Sequence, residues 1–168
     1  MMKYLIGLFL ITVFMVSCKN ENENKVIYLV RHAEKDLTPQ NNPPLTTDGV
    51  IRSVDLSSWF KDIEIDTIFA TDYTRMRETA KPVAEDKNLE LSIYDALDFD
   101  GFAKSLQDME ADTILVIGHS NTILEQIEAL GLERPQEEIK ENEYDKIFEV
   151  RLANKEVVTH NYGSKYKE

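Results

Sequence analysis

Cysteine occurs once in the 168 residues, so no intramolecular disulfide can form. Positive charge is scarce: 19 lysines and arginines stand against 31 aspartates and glutamates, a net charge of -12. That balance argues against a nucleic-acid binder or a protein that coats anionic surfaces. It also makes any local gathering of cations informative, because a pocket for an anion has to be built against the overall field. No apolar run is long enough to cross a membrane comfortably. The longest, residues 5 to 16, is too short for that. Internal repeats are absent. The remaining composition, 42% hydrophobic and 30% charged, is that of an ordinary globular chain, and the length suits a single domain with a real core.

The short apolar run has a context. Lys3 precedes it, Ser17-Cys18 ends it, and residues 19 to 25 turn abruptly polar. This fits a secretory signal whose end resembles a bacterial lipobox, with Met15 where leucine is usual and Cys18 as the lipidated first residue. The alternative is an uncleaved signal anchor with an incidental cysteine. The expected layout is a signal peptide over 1–17, a polar tether over 18–24 and one domain over 25–168. The expected location is the bacterial cell envelope, with a membrane contact through Cys18.

The pattern then alternates strand and helix. Val26-Ile27-Tyr28-Leu29-Val30 is a buried strand running into Arg31-His32-Ala33-Glu34-Lys35. A proline-containing loop leads to a helix capped by Thr46 or Thr47, with Val50, Ile51, Val54, Trp59 and Phe60 as its expected inward stripe. Gly49 in its first turn suggests a close neighbour. Residues 66 to 70 form a strand, and 74 to 87 a helix that Pro82 should kink or split. Leu89, Leu91 and Ile93 alternate as a third strand. Phe102, Ala103, Leu106 and Met109 mark a third helix. Residues 113 to 117 are a fourth strand ending in Gly118-His119. A helix stopped by Gly131 follows, then an acidic surface loop over 133–143 that lacks the spacing of a calcium loop, then a terminal hairpin. The order β-α-β-α-β-α-β-α-β-β implies a three-layer α/β/α domain, its sheet mostly parallel with an antiparallel edge.

In a parallel sheet the strand ends share one edge. Arg31-His32, Arg75 and His119 therefore converge where open α/β sheets bind ligands. Each has an ordinary reading alone; together they suggest an anion site.

These residues resemble the histidine phosphatase (phosphoglycerate mutase-like) superfamily. Arg31-His32-Ala33-Glu34 resembles its Arg-His-Gly motif, with alanine for glycine. Leu45-Thr46-Thr47-Asp48-Gly49 is similar to its Leu-Thr-x-x-Gly helix start. Thr71-Asp72-Tyr73-Thr74-Arg75 through Thr79-Ala80 is similar to its Ser-Pro-x-x-Arg-x-x-x-Thr-Ala motif, with Thr-Asp-Tyr for Ser-Pro-Leu. Gly118-His119-Ser120 resembles its second-histidine motif. The resemblance implies a phosphatase in which His32 is the nucleophile, Arg31 and Arg75 bind the phosphoryl oxygens, and His119 sits cationic beside them. Lys35 stands where one branch of the family has another phosphate-binding arginine. It implies neither cofactor nor metal. The family's usual acid is a glutamate after the third strand or an aspartate after the second histidine. Here Ser120-Asn121 follows His119, and Asp98 is the expected proton donor, with Asp95 and Asp100 as neighbours that could equally cap or line a loop. Glu34 and Glu78 are expected to be supporting groups, and His160 structural or exposed. The partner is a phosphorylated substrate, not nucleic acid. Two other readings stand beside this one: a phosphate-binding module without turnover, and a metal hydrolase using His32 and His119, which the paired arginines oppose.

Overall fold

A computed structural model describes residues 24–163. The signal peptide, Cys18 and most of the tether expected from the sequence lie outside the described residues. Ten elements follow in order: β1 (Val26–Arg31), α1 (Thr47–Trp59), β2 (Thr67–Ala70), α2 (Thr74–Lys87), β3 (Leu91–Ile93), α3 (Phe99–Asp108), β4 (Thr113–Gly118), α4 (Ile123–Ala129), β5 (Lys146–Arg151) and β6 (Glu156–Asn161). The sheet order is β3-β2-β4-β1-β5-β6. β1, β2, β3 and β4 run parallel, and β5 and β6 add the antiparallel edge.

The central strands are apolar at successive positions because both faces of the sheet are covered. Side chains alternate between faces. Ile27, Leu29, Ile114 and Val116 join Phe102 and Leu106 of α3 and Ile123 and Ile127 of α4 in one cluster. Tyr28, Val30, Leu115 and Ile117 join Leu56 of α1 and Met76, Ala80 and Val83 of α2 in the other. β4 lies between β1 and β2, so the chain crosses over it and later returns to fill the gap. The carboxyl ends of β1, β4 and β2 are thereby side by side.

Lys25 fixes where the chain enters. It is 1% exposed, and its Nζ donates to the carbonyls of Leu106 and Gln107 at 3.0 and 2.9 Å and to that of Met109. A cation placed on the last carbonyls of α3 satisfies acceptors that the helix itself cannot.

Three expectations change. The expected stripe of α1 holds only at its end: Phe60 is buried and Trp59 packs on the core, but Val50, Ile51 and Val54 are about half exposed, at 51, 54 and 52%. The buried residues are Gly49, Arg52, Ser53 and Leu56. Their spacing is helical, but the phase is set by a polar neighbour described below. Pro82 does not divide α2, which runs unbroken from Thr74 to Lys87. Proline removes the hydrogen bond to the carbonyl four residues back and crowds it, and the helix continues through it with Val83 and Ala84 buried in the core beyond. The acidic segment 133–143 is a loop, but not merely a surface one. Ile139 within it is buried, and it closes against Arg31.

Candidate active site

β1 and β4 deliver the two histidines as neighbours. Arg31 is opposite Gly118 in the register, and the His32 backbone N–H donates to the Gly118 carbonyl at 3.0 Å. The imidazole rings are 6.0 Å apart, centre to centre. His32 is 4% exposed. Its Nδ1 is 2.7 Å from the Ala33 carbonyl oxygen. A carbonyl only accepts, so Nδ1 carries the hydrogen and Nε2 keeps its lone pair. Desolvation lowers the His32 pKa to about 3, helped by the charges of Arg31 and Arg75 and opposed by the bond to Ala33. The ring is neutral at ordinary pH.

Arg31, 3% exposed, is held by the strap formed by residues 140 to 144. Its Nη1 donates to the carbonyls of Lys140, Glu141 and Glu143 at 2.8, 3.0 and 3.1 Å. The Tyr144 ring lies 4.0 Å from its Cζ. Its Nε is buried without a hydrogen-bond partner. Arg75, in the first turn of α2, has the same feature: a buried Nε with no partner. Tyr73 packs 4.5 Å from its Cζ. Buried donors without acceptors are costly and rare. Two of them on neighbouring guanidinium groups suit an oxyanion.

His119 has the opposite tautomer to His32. Arg75 Nη2 lies 3.3 Å from its Nδ1. Arginine only donates, so Nδ1 accepts and Nε2–H donates to Thr71 Oγ1 at 3.0 Å. Desolvation lowers its pKa to about 4, with Arg75, Lys35 and Arg31 adding to the fall. Among its own neighbours His119 is therefore neutral; the cationic form expected from the sequence is the one beside a bound phosphate. A bound dianion would raise that pKa. Lys35 is exposed and close enough for its charge to act on His119. Its backbone bridges to Leu45.

Supporting groups are mostly polar side chains pinned to backbone. Thr79 Oγ1 accepts from Ala33 N at 3.0 Å and donates to the Arg75 carbonyl at 2.7 Å, so one hydroxyl links both motifs. Thr122 Oγ1 accepts from His119 N at 3.2 Å. Glu34 forms a buried ion pair with Arg52, whose Nε–H is shared between the two carboxylate oxygens at 2.7 and 2.9 Å. Glu78 accepts from Leu45 N at 2.7 Å, and Asn42 caps α2 by accepting from Thr74 N at 2.9 Å. Glu34 and Glu78 thus have the supporting roles expected of them. His160 is remote, bonded to Glu149 at 2.7 Å.

Asp98 is exposed and caps α3, accepting from Gly101 N at 3.1 Å. No hydrogen bond or ion pair links it to Arg31, His32, Arg75 or His119. The sequence singled out neither Tyr144 nor the strap carbonyls. Tyr73 entered only as a departure from the family pattern. Thr71 and Thr79 were visible only inside the quoted motif. Among the described residues, no three histidine, cysteine, aspartate or glutamate side chains are grouped to hold a metal ion.

The fold, with paired histidines and arginines at one sheet edge, defines a phosphoglycerate mutase-like α/β domain. The sequence model of the histidine phosphatase superfamily (branch 1) matches residues 27–98, the stretch that carries His32, α1 and Arg75. The protein histidine phosphatase SixA, solved with tungstate, is similar at a TM-score of 0.65 and 20% identity, covering 83% of this chain and 97% of that one. A mycobacterial glucosyl-3-phosphoglycerate phosphatase, solved with VO3, is similar at a TM-score of 0.61 and 11% identity, covering 82% and 97%. The sequence model spans three of the four motifs, with Gly118-His119-Ser120 beyond its end, and the structural likenesses show the same fold. No match was found among curated protein sequences.

Proposed function

We propose that the protein is a phosphatase that hydrolyses phosphomonoesters or phosphoramidates through a phosphohistidine on His32. The observation that carries this is the tautomer: the Ala33 carbonyl holds the hydrogen on Nδ1, leaving Nε2 as a neutral nucleophile near enough to Arg31 and Arg75 for both charges to act on it. Nε2 attacks phosphorus, the bond from phosphorus to the leaving oxygen or nitrogen breaks, and that atom takes a proton from water. Water then attacks the phosphohistidine, releases phosphate and returns the lone pair to Nε2. Arg31 and Arg75 meet the charge spread over the equatorial oxygens. His119 donates once protonated by the dianion's field, and Lys35 adds charge at the mouth.

The experiment is acid-labile phosphate labelling of the protein and of His32→Ala, alongside hydrolysis of p-nitrophenyl phosphate. Labelling and turnover that survive a chelator, fall to vanadate and vanish in the alanine variant are expected. Equal labelling of the variant rejects His32 as the nucleophile. The second reading, a binding module, draws on the place of Asp98, the expected proton donor, which is exposed and engaged as the cap of α3. Phosphate binding with no turnover of ester or phosphoramidate favours it.

We further propose that Cys18 carries the lipid of an envelope anchor. Fatty-acid labelling of the wild type that is lost in Cys18→Ser is the expected result.

A further inference from the structure

The edge that carries the site has two opposed charge patterns. Arg31 and Arg75 are at its centre, each with a buried Nε that has no partner. The loops leaving the same edge are acidic. Asp36 follows β1, Asp72 follows β2, and Asp95 and Asp98 follow β3; all four are exposed. The strap contributes Glu141, whose carboxylate is 3.6 Å from Arg31 Nη2 and whose side chain is 80% exposed. Asp36, Asp95 and Asp98 accept hydrogen bonds only from their own loops, from Leu37, Leu97 and Gly101 N, which leaves their charge in place. Lys35, Arg77 and Lys140 are the cations of these segments, and Arg77 is paired with Asp72. The same loops carry exposed apolar side chains: Leu37 at 83%, Leu97 at 75% and Tyr73 at 41%.

Resting on the phosphatase reading, we propose that the substrate is a phosphorylated side chain within a basic peptide segment. Its phosphate enters the cationic centre. Its flanking lysines or arginines lie against the acidic rim, and their alkyl stems cover Leu37, Leu97 and Tyr73. The reasoning is electrostatic. At long range a chain of net charge -12 opposes the approach of a phosphate dianion on a neutral or acidic carrier, and Asp36, Asp95 and Asp98 are the exposed carboxylates of this edge that no cation pairs. Positive charge on the carrier turns that repulsion into attraction without weakening the contacts at the phosphate.

The test compares two phosphotyrosine peptides, alike except for lysines or glutamates flanking the phosphorylated residue, with p-nitrophenyl phosphate as an activated reference that carries no flanking charge. At about 20 mM salt, kcat/KM should favour the lysine peptide by about tenfold. Raising the salt to about 0.5 M should shrink that ratio, since exposed charges are then screened within a few ångströms. Glu141→Lys should lower the ratio several-fold, and through KM more than kcat. A ratio near one at low salt, or one that Glu141→Lys leaves unchanged, overturns the proposal. Turnover of p-nitrophenyl phosphate with neither peptide hydrolysed also overturns it, while leaving the phosphatase reading intact. No turnover of any of the three removes both.

Discussion

At the scale of single residues, the site is a set of enforced protonation states. His32 and His119 are both held neutral, at about 3 and about 4, but with hydrogens on different nitrogens. One offers a lone pair and the other a donor to Thr71. The depressed pKa of His32 has a consequence for stability. The unfolded chain binds a proton on this residue near pH 6.5, whereas the folded chain does not until about 3. Stability from this group is therefore complete above pH 6.5 and is lost as pH falls towards 3. His32→Asn, whose amide can still donate to the Ala33 carbonyl, should flatten the pH dependence of the urea midpoint between about pH 6 and 4.5, by up to about 1.4 kcal/mol per pH unit. Parallel slopes in the two proteins would contradict the assignment. Asp98 offers a second separation. Asparagine caps a helix as well as aspartate does, so Asp98→Asn should hold stability within about 0.5 kcal/mol. Its capping geometry predicts unchanged kcat on alkyl and aryl phosphates alike. A fall confined to the alkyl substrate, which needs its leaving oxygen protonated, would instead make Asp98 the acid.

At the scale of elements, α1 is the informative case. Its N-cap, Thr46, accepts from Gly49 N, and the Thr46 N–H donates to the Glu34 carbonyl at 2.9 Å. A Cβ on Gly49 would stand 2.2 Å from that same carbonyl oxygen. The helix is thus docked on the segment that follows His32, and Arg52 turns inward to pair with Glu34. Gly49→Ala should push Glu34 away, disturb the Ala33–Glu34 peptide that positions His32, and cost about 1–3 kcal/mol by overpacking. Denaturant midpoints and kcat/KM should fall together, and unchanged values of both would show that the contact yields. The close approach at Gly49 was legible in the sequence, as was the element order. The inward face of α1 was not. Counting apolar residues chose Val50, Ile51 and Val54, because periodicity reports a preferred burial of apolar groups and cannot see that a buried carboxylate on β1's trailing loop demands an arginine opposite it. The strap was illegible for a different reason. It holds Arg31 through main-chain carbonyls, which every residue possesses.

At the scale of the whole molecule, convergence of Arg31, His32, Arg75 and His119 was legible because strand polarity alone sends parallel ends to one edge. Charge is the other global property, and it acts over distances that salt controls. At about 10 mM salt the screening length is about 30 Å, longer than the radius of a domain of this size, about 14 Å by the usual scaling. Every carboxylate then repels every other, and the net charge of -12 opposes compaction. At about 0.15 M the length is about 8 Å, so distant repulsion fades while close pairs survive. The strongest of those, Glu34 with Arg52, is buried, with both side chains under 10% exposed at 7 and 8%, and is screened least. The fold should therefore gain stability between these two salt concentrations, seen as a higher urea midpoint in sodium chloride, with most of the gain complete by about 0.15 M. Exposed pairs such as Lys104 with Asp108 weaken over the same range, but each contributes only about 0–1 kcal/mol. A midpoint that falls with salt would mean that such pairs, and not the excess of carboxylates, dominate the electrostatics of the folded chain.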